Sequence, residues 1–302
     1  NTKGTFDVDN VALWYPSGYG AAKLYTVVLR LKKGCDIIDE KRELCGFKTV
    51  RLLQNSDTPS YYEKFLFEIN GEKVYLKGFN YVPYELYRGC QQKDVLEKLV
   101  ELVKKSNANI IRVWGGGNFA PKELLELCSK NGIMVWQDFL QTGSGTDSFP
   151  NCNEAYMQML KDVSVKQIKN MGHYPCITVW CGGNELRDDT NKAPVRRENK
   201  NVELLQKILE ESDVRLPFFP SSPFGGNFNY EKGTENNQNV HGFYKYYCGE
   251  YGIFHNEYYN ASNSTFHAEF GVDGVSCIST LRKILPTENL TVTDSARDYL
   301  WK

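Results

Sequence analysis

The sequence predicts an α/β protein in which the strands of a parallel sheet alternate with helices. From about residue 76 onward, short apolar runs alternate with amphipathic stretches of ten or more residues, a pattern that favours a parallel sheet. Several apolar runs end in polar, charged or aromatic residues, and a buried strand has no packing reason to finish in a charge. Residues 1–57 carry only β patterns. Together these observations predict a (β/α)8 TIM barrel preceded by the tail of an immunoglobulin-like β-sandwich.

Two domains are predicted, residues 1–57 and residues 58–302. The first segment has strand patterns at residues 11–16, 24–31 and 46–53. Three or four strands are too few for a sandwich, which usually has about seven or more. We therefore expect residues 1–57 to be the C-terminal part of a β-sandwich domain, and residues 58–302 to be the barrel domain.

The barrel domain is predicted to have seven strands and to lack the eighth. A hairpin with an Asn70-Gly71 turn precedes it. The strands are expected at residues 76–83, 109–114, 132–139, 176–181, 216–222, 239–241 and 265–270. The helices are expected at residues 95–106, 121–130, 154–171 and 201–211. Residues 275–302 are expected to form a helix, a loop and a second helix.

The charge balance argues against two classes of partner. The 36 Lys and Arg residues against 37 Asp and Glu residues give a net charge of −1, so nothing indicates a nucleic-acid or anionic-membrane surface. No apolar run approaches the roughly 20 residues of a membrane span. We expect no nucleic-acid partner and no membrane span.

The cysteines, histidines and glycosylation signals indicate the compartment. None of the nine cysteines forms a CxxC pair, and the four histidines lack metal-ligand spacing, so we expect neither a metal nor a cofactor. Cys35 and Cys45 flank an apparent hairpin and could be bridged. Asn-x-Ser/Thr signals at Asn260, Asn263 and Asn289 predict N-glycosylation and a secretory-pathway protein, lysosomal or extracellular.

Six of the predicted strands end in polar or aromatic side chains or are followed by them. In strand order they are Arg112 and Trp114, Trp136 and Asp138, Asn184 and Glu185, Ser222, His241, and Glu269. In a (β/α)8 barrel the C-terminal ends of the strands form the active site. The run Trp180–Glu185 is the most informative, because two glycines let the backbone turn sharply just before Asn184 and Glu185.

Glu185 and Glu269 are the candidate catalytic pair. They follow the fourth and seventh predicted strands, whose ends face each other across the mouth of a closed barrel. Glycoside hydrolysis requires two facing carboxyl groups, one protonated as general acid and one ionised as nucleophile or base. The sequence therefore predicts a glycosidase site.

Four motifs resemble those of the β-mannosidases in glycoside hydrolase family 2. They are Arg-Val-Trp-Gly-Gly-Gly at 112–117, Val-Trp-Gln-Asp-Phe at 135–139, Val-Trp-Cys-Gly-Gly-Asn-Glu at 179–185 and Ala-Glu-Phe-Gly at 268–271. Their order and spacing are also similar, and the resemblance runs from about Ala12 to Lys302. It implies a retaining (β/α)8 glycosidase that removes terminal β-D-mannosyl residues from glycans or oligosaccharides.

The resemblance also implies a role for each site residue. It gives Glu185 as acid/base and Glu269 as nucleophile. Asn184 would hydrogen-bond the 2-hydroxyl beside the anomeric carbon, and Arg112 would orient the nucleophile. The terminal sugar subsite would be lined by Trp114, Trp136, Asp138 and His241, with Ser222 among the substrate-binding residues.

Two properties of the carboxyl pair are expected on chemical grounds. A neighbouring carboxylate and the apolar walls of Trp180 and Trp136 should raise the pKa of Glu185, while Arg112 should keep Glu269 charged. The two carboxyl groups should lie about 5–5.5 Å apart, with retention of configuration, and a separation beyond about 6.5 Å would reject this assignment.

The sequence departs from the family pattern in two places. Further β domains and the eighth strand are missing, and an open barrel would expose two strand edges, so we expect further polypeptide pieces of the same enzyme to complete it. Residues 141–146 are rich in glycine and predict a more open cleft, so an endo-β-mannosidase acting on the core of N-glycans is an alternative.

Two further functions are compatible with the same scaffold. It could carry β-glucuronidase or β-galactosidase activity, or the chain could be a glycan-binding subunit without turnover. The run Gly115-Gly116-Gly117 is not a phosphate-binding loop, because no Gly-Lys-Ser/Thr follows it; we interpret it as a tight turn that makes room for a sugar.

Overall fold

The computed structural model describes residues 4–5, 7–85, 87, 92–143, 147–242, 262–271, 276–287 and 290. The chain divides into two compact units. The first contains Asn1–His241 and Ala261–Glu269, and the second contains Gly242–Asn260 and Phe270–Lys302. All of the described strands and all but one of the described helices lie in the first unit.

The N-terminal strands form two small antiparallel sheets. Strands β1 (Tyr25–Lys33) and β2 (Asp36–Cys45) pair with each other as a hairpin, and none of their residues is buried. Strands β3 (Val50–Leu53), β4 (Leu66–Ile69) and β5 (Glu72–Val74) form the second sheet in that order.

The turn between β4 and β5 confirms the predicted Asn-Gly hairpin. Asn70 and Gly71 both have positive φ, 53° and 87°, as a two-residue turn of this type requires. The Asn70 side chain also joins neighbouring segments, because its Nδ2 donates to the carbonyl of Trp14 and its Oδ1 accepts from the amide of Thr49.

Seven parallel strands follow, in two groups. Strands β6 (Gly78–Tyr81), β7 (Ile110–Val113), β8 (Met134–Asp138), β9 (Ile177–Cys181) and β10 (Phe218–Phe219) form one five-stranded sheet in sequence order. Strands β11 (Asn239–His241) and β12 (Phe266–Glu269) pair with each other. Every residue of β7, β8 and β9 is buried, as expected for strands covered on both faces.

Four helices separate the strands of the larger sheet. They are α1 (Lys93–Lys105), α2 (Lys122–Asn131), α3 (Glu154–Met171) and α4 (Lys200–Glu211). A fifth helix, α5 (Ile278–Ile284), belongs to the second unit. The alternation confirms the predicted TIM-barrel class, with seven strands and no eighth among the described residues.

Local signals explain where two of these helices begin and end. The Oδ1 of Asn153 accepts from the amide of Tyr156 and caps α3, so the helix begins at the predicted residue. Gly132 ends α2 in the left-handed conformation, with φ of 68°. None of the described helices has the length and apolar character of a membrane span.

Aromatic rings fill the core beneath the strand ends. Trp136 on β8 packs at 5.1 Å from Phe219 and 5.9 Å from Phe266, measured between ring centroids. Phe65, just before β4, stacks on Phe266 at 5.6 Å. The small β3–β4–β5 sheet therefore supplies part of the barrel core, and full burial of each such ring contributes about 1.5–3 kcal/mol.

Several details differ from expectation. The fifth barrel strand is only two residues long, because Pro217 and Pro220 flank it and proline has no amide hydrogen to donate to a sheet. Cys35 and Cys45 are both free thiols, so the bridge considered between them is not formed. The second helix expected before residue 302 lies outside the described residues. The domain boundary at residues 57 and 58 stays a prediction.

Candidate active site

A cavity of about 300 Å³ opens where the parallel strands end. It is lined by Asn80, Val82, Trp114, Thr142, Gly143, Asn184, Glu185 and Glu269. These residues lie at or just beyond the carboxyl ends of β6, β7, β8, β9 and β12. The structure therefore brings four of the predicted site residues, Trp114, Asn184, Glu185 and Glu269, to the wall of one cavity.

The two candidate catalytic glutamates converge. One carboxylate oxygen of Glu185, one of Glu269 and the Nδ1 atom of His241 all lie within 4.8 Å of one another. A distance of this size between single carboxylate oxygens is compatible with the separation of about 5–5.5 Å between carboxyl groups that is typical of retaining glycosidases. The arrangement suits direct attack by one carboxylate while the other handles the proton.

Close backbone packing holds Glu185 in place. A Cβ atom on Gly182 would lie 2.2 Å from the carbonyl oxygen of Pro220, and one on Gly183 would lie 2.7 Å from that of Gln141, so only glycine fits at either position. Glu185 itself has φ of +53°, a conformation that non-glycine residues rarely adopt. Its amide donates to the carbonyl of Ser222 at 2.8 Å. These backbone contacts thus fix the position of the Cα atom from which the Glu185 side chain extends.

Arg112 joins four side chains of the site. Its Nη1 donates to Glu269 at 2.8 Å and to Asn80 at 3.1 Å. Its Nη2 donates to Asp138 at 2.9 Å and to the Oδ1 of Asn184 at 2.7 Å. Burial is the largest single influence and acts to lower the pKa of Arg112, but the neighbouring negative groups, Asp138 first and Glu269 after it, together outweigh burial and the net shift is upward. The guanidinium is therefore a permanent cation beside Glu269.

Trp136 and Asp138 lie beneath Arg112 rather than on the cavity wall. Both are buried, and the Nε1 of Trp136 donates to Asp138 at 2.7 Å. The amide of Gly115 donates to the same carboxylate at 3.0 Å. The guanidinium carbon of Arg112 lies 5.4 Å from the Trp136 ring centroid. We expected these two residues to line the sugar subsite. In the structure they instead contact Arg112 from the interior side and hold its guanidinium in position.

His241 and Ser222 also lie behind the cavity wall. His241 is fully buried, and its Nδ1 lies 3.0 Å from Oε1 of Glu185 and 3.4 Å from Oε2 of Glu269. Its Nε2 lies 3.0 Å from the hydroxyl of the buried Ser222. His241 therefore lies against the carboxyl pair with Ser222 behind it, and the expected contact of both residues with substrate stays a prediction.

The expected direction of the Glu185 pKa shift is wrong. A hydrogen bond from His241 lowers the pKa of Glu185, and this outweighs burial, which acts to raise it. Trp180, expected as an apolar wall, stacks on Phe139 with ring centroids 5.1 Å apart and does not line the cavity. The free site therefore favours an ionised Glu185.

The three consecutive glycines make room for a side chain rather than a sugar. A Cβ atom on Gly116 would lie 2.2 Å from the Trp114 ring, and one on Gly115 would lie 2.4 Å from the carbonyl of Gln141. The tight turn was predicted correctly, but we expected it to make room for a sugar and not for the Trp114 ring. It lets Trp114 fold back against its own loop beside the cavity.

Asn80 and Thr142 were missed by the sequence reasoning. Asn80 accepts from Arg112 and lines the cavity, and Thr142 accepts from the Nδ2 of Asn184 at 3.3 Å. Asn80 is a polar residue within the first barrel strand, so the argument applied to the other strand ends could have found it. Thr142 lies in the glycine-rich segment, where no strand pattern marks it.

The glycosylation signals are only partly described. Asn263 is exposed; its Oδ1 accepts from Asn237 at 2.8 Å, and its Nδ2 donates to the carbonyl of Thr234 at 2.8 Å. Asn260 and Asn289 lie outside the described residues. Glycosylation at all three stays a prediction.

Comparison with family models identifies the class. The model described as glycosyl hydrolases family 2 matches residues 1–48. The model described as glycosyl hydrolases family 2, TIM barrel domain, matches residues 62–221, which is more than half of the chain. The chain belongs to glycosyl hydrolase family 2.

Individual relatives point to a narrower group. The chain is 27% identical to β-mannosidase B of Aspergillus clavatus over 305 residues, covering 95% of this chain and 35% of the relative. It is 29% identical to the β-mannosidase of Mus musculus, covering 92% of this chain and 33% of the relative. The chain therefore spans about a third of the length of the curated relatives it matches.

Solved structures show the same likeness. The β-D-mannosidase of Dictyoglomus thermophilum matches with a TM-score of 0.71 and 28% identity, covering 91% of this chain and 33% of that one. The exo-chitosanase of Amycolatopsis orientalis matches with a TM-score of 0.58 and 18% identity, covering 74% of this chain and 27% of that one. The second match supports the fold alone.

Proposed function

We propose that this chain carries the active site of a β-mannosidase, a retaining glycoside hydrolase that releases terminal β-D-mannosyl residues. The observation that carries the proposal is the convergence of Glu185 and Glu269, with carboxylate oxygens within 4.8 Å, on one cavity. The β-mannosidases among its relatives support the choice of sugar.

The proposed reaction has two steps. The Glu269 carboxylate attacks the anomeric carbon while Glu185 donates its proton to the glycosidic oxygen, so that the glycosidic bond breaks and a glycosyl ester forms. Ionised Glu185 then takes a proton from water, the water oxygen attacks the anomeric carbon, and Glu269 leaves as a carboxylate. Arg112 suits this cycle because its fixed positive charge stabilises Glu269 at the start and at the end.

Asn184 is suited to recognise the axial 2-hydroxyl of mannose. Its Oδ1 accepts from Arg112 at 2.7 Å, and this contact fixes which way the amide is turned. Its Nδ2 then faces Thr142 at 3.3 Å on the cavity wall, where it can donate to a sugar hydroxyl. Because Asn184 lines the same cavity as Glu185 and Glu269, its amide can contact the hydroxyl next to the carbon at which the two glutamates react.

The size of the cavity favours removal of one terminal sugar. Its volume of about 300 Å³ is at the low end for ligand pockets, which are typically about 300–1,000 Å³. An endo-acting enzyme needs room on both sides of the cleaved bond. Part of the glycine-rich segment, residues 144–146, lies outside the described residues. Hydrolysis of defined substrates distinguishes removal of a terminal sugar from cleavage within a glycan.

The test is hydrolysis of p-nitrophenyl β-D-mannoside by wild type, Glu269→Ala and Glu185→Ala, with the exposed Glu72→Gln as matched control. Wild type and the control should cleave it, and Glu269→Ala should lose at least about 10³-fold in kcat. Azide added to Glu269→Ala should give α-mannosyl azide, because azide occupies the vacated nucleophile position.

Each different result of this test points to a different function. Cleavage of the β-glucuronide or β-galactoside in preference to the mannoside would indicate another family 2 activity. Release of an oligosaccharide from an N-glycan core, without action on the simple mannoside, would indicate the endo mode. Binding of glycans without any turnover would indicate a glycan-binding subunit and contradict the proposal.

We further propose that additional polypeptide segments complete the active protein and that it is made in the secretory pathway, lysosomal or extracellular. The share of each relative that the chain covers, 35% and 33%, supports the first point. Intact mass of the purified protein under denaturing conditions, before and after enzymatic removal of N-glycans, tests both. A single unglycosylated polypeptide of 34.6 kDa would contradict both.

A further inference from the structure

His241 lies in contact with both members of the carboxyl pair. Its Nδ1 is 3.0 Å from Oε1 of Glu185 and 3.4 Å from Oε2 of Glu269, and the ring is fully buried. The imidazole comes from β11, whereas Glu185 follows β9 and Glu269 ends β12. One ring nitrogen therefore faces two carboxylates that, in a two-step reaction, carry negative charge at different times.

The surroundings indicate which protons the ring carries. Burial lowers the pKa of His241 and favours the neutral ring, although the Glu185 hydrogen bond opposes this. The Ser222 hydroxyl, 3.0 Å from Nε2, can donate to that nitrogen. A neutral ring whose Nε2 accepts from Ser222 must carry its proton on Nδ1, which is the atom that faces the two glutamates.

We infer that His241 is a positioning residue whose Nδ1–H follows the negative charge between Glu269 and Glu185, and so couples the state of the nucleophile to the protonation of the acid/base. This inference rests on the proposed function. Hydrogen bonds to an ionised acceptor are about twice as strong as neutral ones, so the single donor turns toward whichever carboxylate is charged. No proton leaves His241 at any point.

The first reaction step requires a protonated Glu185 and the second requires an ionised Glu185. The hydrogen bond from His241 can favour either state, because it can form with Glu269 or with Glu185. Before the first step Glu269 is ionised and attracts Nδ1–H, while bound sugar displaces water around Glu185 and favours its protonated form. Once Glu269 is esterified it has lost its charge. Nδ1–H then turns fully to Glu185 and stabilises the ionised form, which is the base that the second step needs.

Other charged groups around the pair do not replace this contact. Arg112 bonds Glu269, Asp138 and Asn184, and its charge is the same in both steps. Arg187 also lowers the pKa of Glu185, but less than His241 does. Its guanidinium stacks 3.8 Å from the Phe228 ring centroid and donates to the carbonyl of Asn191. Only His241 contacts both glutamates among these groups.

The test compares wild type with His241→Leu and His241→Asn in the purified protein with any polypeptides that accompany it. With 2,4-dinitrophenyl β-D-mannoside the leaving group needs no proton, so breakdown of the ester limits kcat. His241→Leu should lower this kcat about 10- to 100-fold, which is less than the full contribution of a general base, about 10²–10⁴-fold, because Glu185 itself is still present. His241→Asn, whose amide can donate from near the Nδ1 position, should retain more of it.

Two readouts separate this role from a merely structural one. Azide attacks the ester without needing a base, so it should restore turnover of His241→Leu and give β-mannosyl azide. The alkaline limb of kcat/KM for p-nitrophenyl β-mannoside should move to higher pH in His241→Leu, because ionised Glu185 loses its donor and its pKa rises.

The inference is overturned if azide leaves the kcat of His241→Leu unchanged or if the alkaline limb does not move. Should His241→Leu fail to fold, Ser222→Ala keeps the ring and frees Nε2, and it should show both effects more weakly; absence of both would equally overturn the inference. A wild-type protein that cleaves no β-mannoside removes the proposed function itself, so the two failures are distinguishable.

Discussion

Strands β7 to β9 and strand β1 of the β1–β2 hairpin all carry several apolar residues, yet the burial of the barrel strands and of the hairpin is opposite. Every residue of the three barrel strands is buried, whereas no residue of the hairpin is. Leu29 on β1 is 69% exposed, while Ile177 on β9 is fully buried. Apolar residues in a short segment therefore favour a strand, but the elements that pack against the strand decide whether it becomes part of a core. The candidate active site is built on the buried group.

The largest difference in the free energy of unfolding is expected between a variant of a buried arginine and a variant of an exposed one. Arg112→Leu leaves the buried carboxylate of Asp138 without its cationic partner and should lower the free energy of unfolding by about 3–5 kcal/mol. Arg51→Leu removes an exposed ion pair with Glu68, 3.9 Å long, and should cost about 0–1 kcal/mol. Urea unfolding of both variants measures the two values. Equal losses in the free energy of unfolding for the two variants would show that the buried ion pair of Arg112 contributes no more to stability than the exposed pair of Arg51.

Core truncation should give the next largest difference. Ile177→Ala removes a fully buried side chain from β9 and should cost about 2–5 kcal/mol through lost burial and a residual cavity. Leu29→Ala on the hairpin should stay within about 0.5 kcal/mol. Thermal and urea unfolding check both. A cost above about 1 kcal/mol for Leu29→Ala would show that this hairpin is covered in the intact protein.

The smallest difference in the free energy of unfolding is expected between two glycine variants. Only one of these two variants should also change KM. Gly116→Ala pushes against the Trp114 ring and should cost about 1–3 kcal/mol as well as raise KM several-fold, because Trp114 lines the cavity. Gly34→Ala, with φ of +62° and open space around it, should cost about 1–2 kcal/mol of backbone strain and leave KM unchanged. Steady-state kinetics beside unfolding curves make the comparison. An unchanged KM for Gly116→Ala would remove Trp114 from the sugar subsite.

The parts of the fold predicted correctly are those with a local cause. Helix α3 was placed at its observed residues, because an asparagine cap and a long amphipathic pattern lie within the segment itself. The turn at Asn70-Gly71 follows from two residues that accept positive φ. The fifth barrel strand was predicted too long, since its two flanking prolines limit sheet hydrogen bonding more than its apolar run favours it.

The candidate site was predicted in part for the same reason. A charge at the end of a buried strand is visible in the sequence, which is how Arg112, Asn184, Glu185 and Glu269 were selected. The layer in which each residue lies was not visible. Asp138 and His241 were expected on the cavity wall, but they lie behind it, because the depth of a side chain depends on what neighbouring strands place in front of it.

By itself the sequence determined the alternation of strands and helices and the set of polar residues at the strand ends, because each depends on residues close together in the chain. Only the tertiary structure decided how those residues act on one another. It placed the Nδ1 of His241 against Glu185 and reversed the expected direction of that carboxyl's pKa. The physical reason is that a hydrogen bond between groups 56 residues apart depends on distance and orientation, which no local pattern of residue types encodes.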